Sequence, residues 1–118
     1  MITINELKKK KDIPVVLADH QGVVTYINKQ FESVWKWKSE DLVGKPLTTI
    51  IPPNLRTAHH LGFSRFLTTG KPTLLNQPLK LKVMPKDGNE VDAEHIIVAE
   101  KLDGQWAFGA TINPISQS

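Results

Sequence analysis

The chain contains no cysteine among its 118 residues. This absence excludes a disulfide scaffold, a thiolate nucleophile, an iron–sulfur centre and the c-type haem attachment motif. The sequence also lacks an apolar run near the ~20 residues that a membrane-spanning helix needs. It shows no G-x-S-x-G, Walker A or H-E-x-x-H motif. We therefore expect a cytoplasmic protein with no membrane span and no enzymatic activity.

Charge of either sign is modest. Fifteen basic residues oppose twelve acidic ones, which gives a net charge of +3. The basic residues form one run, Lys8 to Lys11, without interleaved aromatic residues, and such a run is typical of a solvated face or linker. The composition, 40% hydrophobic and 23% charged, is that of an ordinary globular domain. We expect one domain and no nucleic-acid partner.

Turn residues divide the chain into short elements. The turn Asp19–Gly22 lies between two β-branched runs and predicts a hairpin, and later turns at Pro85–Asn89 and Leu102–Gly104 predict a three-stranded antiparallel meander. The last three strands are expected at about 73–84, 90–101 and 105–112. Residues 1–12 read as a helix or linker, 13–114 as the domain and 115–118 as a tail.

The middle of the chain is predicted to be helical. Asn28 can cap a first helix, and Ser39 can cap a second one, Glu40 to Val43. A third helix is expected from about Asn54 to Thr69, where Gly70 follows as a stop. Two strands, a helical block and three strands predict an α+β fold with helices on one face of an antiparallel sheet.

An ordered set of motifs resembles the PAS domain family. The stretch Val24–Phe31, followed by Trp37–Pro46, is similar to the first half of such a domain, and further matching residues continue the likeness: Ile51-Pro52, Arg56, Phe66, Thr69-Gly70 and Lys86–Gly88. The resemblance implies a five-stranded antiparallel sheet with helices on one face and a ligand cleft between them. It implies a signalling sensor without catalytic activity that serves an output domain or partner protein.

A narrower resemblance concerns the third helix. Ile51–His59 is similar to the helix that carries the proximal haem ligand in PAS oxygen sensors of the FixL and Dos type. The resemblance implies haem b, with His59 as the iron ligand. Helical spacing places Leu55, Gly62 and Phe66 on the same face as His59. The positions that carry a distal arginine or methionine in those sensors hold Leu79 and Gln77 here.

A second histidine is predicted to point toward the same cleft. In the strand 90–101, a period of two places Val91, Ala93, His95 and Ile97 on one face, with Asp92 and Glu94 on the other. His59 and His95 could therefore bind one iron from both sides, His59 as the proximal ligand and His95 as the distal ligand or gate. The predicted cofactor-binding residues are His59, His95, Leu55, Gly62, Phe66, Gln77, Leu79 and Ile97.

Other interpretations of the same residues remain open. Either histidine could be an ordinary core residue with a local hydrogen-bond partner. The chain could then be a cofactor-free PAS module for dimerisation or protein interaction, or a sensor of a small organic ligand. Ile4 and Leu7 are apolar residues outside the expected core. We therefore predict a homodimer in which Met1 to Lys11 packs across a sheet or a partner helix.

Overall fold

One antiparallel sheet organises the molecule. The computed structural model describes residues 3–57, 59 and 78–115, and the five strands in this part of the chain lie in the order β2-β1-β5-β4-β3. The strands are β1 (Val15–Ala18), β2 (Val24–Ile27), β3 (Pro78–Val83), β4 (Val91–Leu102) and β5 (Gln105–Pro114). The predicted α+β class and the five-stranded antiparallel sheet are confirmed.

The predicted turns are present and rest on local chemistry. At the first hairpin, the Asp19 carboxylate accepts hydrogen bonds from the backbone N–H groups of Gln21 and Val23, at 2.9 and 3.0 Å. Gly22 then adopts a φ of 77°, a left-handed conformation that glycine reaches without steric cost. In the hairpin between β4 and β5, Gly104 adopts the same left-handed conformation, with a φ of 81°.

Two short helices follow the first hairpin. Helix α2 (Lys29–Trp35) begins as predicted, because the Asn28 side chain accepts a hydrogen bond from Phe31 N at 2.9 Å. Helix α3 (Ser39–Leu42) corrects the predicted cap. Lys38 is its N-cap residue and Ser39 is already helical. Ser39 N instead donates to the Glu32 carboxylate at 2.8 Å, so a side chain from α2 provides the acceptor.

The chain then forms two 3₁₀ turns, Leu47–Ile50 and Pro53–Leu55. The predicted helix 54–69 therefore starts with a tighter turn, since Pro53 has no N–H group and opens the segment at its first position. Arg56, Thr57 and His59 are helical. The remainder of that predicted helix, and the first residues of the strand predicted at 73–84, lie outside the described residues.

Both faces of the sheet bury apolar side chains. On one face, which we call the α2 face, Phe31, Trp35 and Leu42 from the two helices pack against strand residues in one cluster: Val16, Val24, Ala93, Ala110 and Ile112. Trp35 also donates its indole N–H to the carbonyl of Ile112 at 2.9 Å. This face holds the larger core cluster of the described residues.

The opposite face, which we call the α1 face, is covered by the N-terminal helix α1 (Ile4–Lys9). A capping box begins this helix, since Thr3 Oγ1 accepts from Glu6 N and Glu6 Oε1 accepts from Thr3 N. Ile4 and Leu7 are 8% and 1% exposed and pack with three side chains from strands β1 and β4: Val15, Leu17 and Val98. The Glu100 carboxylate of β4 accepts a hydrogen bond from Ile4 N at 3.1 Å.

The position of α1 corrects two expectations. Ile4 and Leu7 lie inside a core of their own chain, and the predicted placement of helices on one face holds for α2 and α3 only. Gly109 of β5 explains the close docking, because a Cβ atom there would lie 2.6 Å from a Leu7 methyl carbon. The homodimer stays a prediction, but these two residues no longer supply its reason.

Candidate functional site

His95 lies on the α2 face of the sheet, as the strand period predicts. Its neighbours at two-residue spacing, Ala93 and Ile97, belong to or pack against the α2-face core. Its direct cross-strand partners are Leu79 on β3 and Ile112 on β5. Because cross-strand partners project to the same face, the half-buried imidazole has apolar neighbours on both adjacent strands.

The ring of His95 has a defined hydrogen-bond geometry. Its Nδ1 atom lies 3.3 Å from the carbonyl oxygen of Ala93. A carbonyl oxygen only accepts, so Nδ1 carries the hydrogen in this contact and Nε2 keeps its lone pair. Burial lowers the pKa of His95 below the usual value, and the contact with Ala93 opposes that shift. His95 is therefore a neutral imidazole at neutral pH, the form that ligates metals.

His59 lies on the helical segment after the second 3₁₀ turn and is half-buried. Arg56, one turn earlier, donates from Nε to the carbonyls of Thr48 and Ile51 at 3.1 and 3.0 Å. These two bonds fix the start of the helical segment to the preceding turn. His59 thus follows, three residues on, an arginine that is fixed to the preceding turn.

The other predicted site residues divide into two groups. Leu55, Leu79 and Ile97 are half-buried, and Leu79 lies directly across from His95. Gly62, Phe66 and Gln77 lie outside the described residues. The approach of His59 to His95 across one cleft stays a prediction. The described residues contain no cluster of three or more His, Asp or Glu side chains that could hold a metal ion, so the iron-site hypothesis depends on the two histidines.

The sequence analysis missed a basic groove between α1 and α2. It has a volume of about 400 Å³ and is lined by six residues: Lys8, Lys10, Lys11, Tyr26, Asn28 and Lys29. The ammonium group of Lys8 lies over the Tyr26 ring, 5.4 Å from its centroid. The lysine run was visible in the sequence, but its approach to Tyr26 and Lys29 depends on the docking of α1 on the sheet.

None of the helices in the described part of the chain is long and apolar enough to cross a membrane.

Sequence comparison finds relatives that match most of the chain. Two curated relatives match 86% of the chain: an uncharacterized protein of Azorhizobium caulinodans, at 29% identity over 103 residues, and the oxygen sensor protein DosP of Escherichia coli, at 24% identity over 101 residues. The chain spans only 14% and 13% of the lengths of these two proteins.

Solved structures support the fold at lower identity. A PAS domain from Desulfitobacterium hafniense superposes with a TM-score of 0.73 at 17% identity, covering 94% of this chain and 99% of its own. The PAS domain of the RpfR quorum-sensing receptor of Cronobacter turicensis, in complex with C12:0, gives a TM-score of 0.66 at 12% identity, covering 89% of this chain and 96% of its own. A family model described as PAS domain matches residues 12–116. With its sheet order, its helices on the α2 face and this match over nearly its full length, the chain belongs to the PAS domain family.

Proposed function

We propose that this PAS sensory domain binds haem b through His59 and reports a gas or the redox state of the iron to an output domain or partner protein. The relative named as an oxygen sensor, 24% identical over 101 residues, supports this direction. Since the chain spans a small part of that relative, the output domain is itself part of the proposal.

One observation carries the haem proposal. His95 lies half-buried among apolar neighbours on the α2 face, with Nδ1 directed at the Ala93 carbonyl. Metal-ligating histidines commonly donate their second ring N–H to a carbonyl, because this fixes the ring orientation and makes the other nitrogen more basic. The tautomer that Ala93 selects leaves Nε2 as the ligating atom. The residues present therefore fit an imidazole ligand of iron.

The two histidines have different roles in this proposal. When bound, haem supplies an iron that takes up a diatomic gas or exchanges an electron. His59, on the segment ordered by Arg56, is the permanent ligand. His95, on β4, is the distal ligand or gate. Leu79 and Ile112 lie directly across from it on the adjacent strands, and burial lowers its pKa and so favours the neutral imidazole that would ligate iron.

Haem titration of single variants tests the proposal. His59→Ala should abolish stable haem binding. His95→Ala should retain haem but change the absorption spectrum from six-coordinate low-spin to five-coordinate. His20→Ala is the matched control, because His20 lies in the first hairpin turn, and it should change neither property.

The same experiment separates the alternatives. If haem binds the wild-type protein no better than it binds His59→Ala, the proposal fails. The protein is then better described as a cofactor-free module for dimerisation or interaction. If mass spectrometry of the denatured protein instead finds a bound organic molecule, the small-ligand sensor becomes the better account.

A further inference from the structure

The basic groove collects positive charge without a carboxylate to balance it. Lys8, Lys10, Lys11 and Lys29 line it, and the lining includes no carboxylate. Four ammonium groups with no carboxylate among them make the groove locally positive, so its field attracts anions.

The Asn28 side chain holds the groove in shape. Its Nδ2 donates to the carbonyls of Lys10 and Ile13, at 3.1 and 2.8 Å. Its Oδ1 accepts from Val15 N and Phe31 N, at 3.0 and 2.9 Å. The segment that carries Lys10 and Lys11 is thus fixed beside the start of α2, where Lys29 lies. These four hydrogen bonds hold the backbone of the groove.

The charge of Lys29 is unfavourable where it stands, whereas Lys8 lies in the last turn of α1, where a positive charge is favourable. Lys29 is the first residue of α2, and a positive charge there opposes the helix dipole. Three further ammonium groups around one groove repel one another and Lys29. A residue that breaks a local rule without compensation is expected at a functional position. Binding of an anion would relieve both conflicts.

We propose that this groove docks an acidic peptide segment of a partner protein, one that carries several Asp or Glu side chains. Lys8, Lys11 and Lys29 are exposed, and one exposed ion pair stabilises a complex only slightly. Useful affinity therefore requires several carboxylates on one chain, so that each further contact forms within the complex. This inference is independent of haem binding.

The groove suits a peptide better than a nucleic acid. Its aromatic residue, Tyr26, has a lysine ammonium over the ring, so that face is not available for stacking on a base. An extended acidic peptide does not need an aromatic face to stack on.

Binding of a labelled octapeptide of alternating Asp and Glu tests the proposal, with fluorescence anisotropy as the readout. The groove variant combines Lys10→Gln, Lys11→Gln and Lys29→Gln, and we expect it to weaken binding by about tenfold. Affinity of the wild type should also fall as salt rises from ~50 to ~300 mM. In amide spectra, peptide-induced shifts should concentrate at Lys8–Lys11 and Tyr26–Lys29.

The matched control is Lys38→Gln, Lys45→Gln and Lys101→Gln, which removes the same charge from exposed positions outside the groove. It should change affinity by less than about twofold. Equal losses in the two triple variants would overturn the proposal, because attraction would then depend on total charge. Failure of the peptide to bind at low salt would overturn it too. An oligonucleotide with the same charge as the octapeptide provides a further comparison. If it binds more tightly than the octapeptide and the groove variant loses this binding, the groove is a nucleic-acid site instead.

Discussion

The two faces of the sheet bury apolar surface in different ways. The α2 face packs two helices with large aromatic side chains, and the proposed sensing histidine, His95, lies on the same face beside Leu79 and Ile112. The α1 face packs one helix of six residues, and the basic groove opens at the end of that helix. A helix this short is not stable alone in water, so its structure depends on the sheet beneath it. The α2 face thus holds the larger core, whereas the smaller core on the α1 face is covered by a helix whose folding depends on the sheet.

The largest effect should follow from a cavity on the α2 face. Phe31 is fully buried, so Phe31→Ala should lower the free energy of unfolding by about 3–5 kcal/mol. Urea denaturation measures this loss, with Phe31→Leu as a milder control. A loss below about 1 kcal/mol would show that the α2 face is not the principal core.

The corresponding change on the α1 face should be smaller but still clear. Leu7 is 1% exposed beneath α1, and Leu7→Ala should destabilise the monomer by about 2–3 kcal/mol. Leu7→Met, which nearly conserves volume, should cost less than about 1.5 kcal/mol. Urea denaturation at low protein concentration is the appropriate measurement. No change there would mean that α1 docks only in a dimer, as the sequence alone suggested.

Asn28 hydrogen-bonds both to the start of α2 and to the segment before β1. Its removal should lower the free energy of unfolding by no more than Leu7→Ala does. Asn28→Ala loses the cap of α2 and both bonds to the segment before β1, at an expected cost of about 2 kcal/mol. Asn28→Asp keeps the accepting oxygen and should retain the cap while losing the donor bonds. Circular dichroism melts compare the variants. Equal stability of Asn28→Ala and wild type would contradict the shared role of this amide.

The smallest expected effect concerns pH and the α2 face. Burial lowers the pKa of His95, so the unfolded state binds the proton more readily than the folded state. Stability should therefore fall as pH drops through the ordinary histidine range, and the loss should be complete below the lowered pKa. His95→Gln should remove this contribution from urea midpoints measured between ~pH 8 and ~pH 5. The control variant His20→Gln should keep the wild-type dependence of the urea midpoint on pH. The same dependence in wild type, His95→Gln and His20→Gln would argue against burial of the His95 ring.

The sequence was informative where local chemistry decides structure. Gly22 and Asn28 predicted the first hairpin and the start of α2, and the strand period placed His95 on the correct face. Prediction from the sequence failed where contacts between residues far apart in the chain determine the structure. The run Val15–Ala18 is buried at every position, a pattern that indicates a strand covered on both faces. The sequence analysis nevertheless expected helices on one face only, because nothing local identified Ile4 and Leu7 as residues that cover the α1 face.

The Asn28 amide also has a consequence for local opening of the structure. One side chain satisfies Phe31 N at the start of α2, Val15 N at the start of β1 and two carbonyls of the segment before it. Displacing that segment would break hydrogen bonds of a side chain that also caps the helix. We therefore expect the first turn of α2 and residues 10–15 to open as one cooperative unit, with amide protons that exchange with solvent on a common timescale.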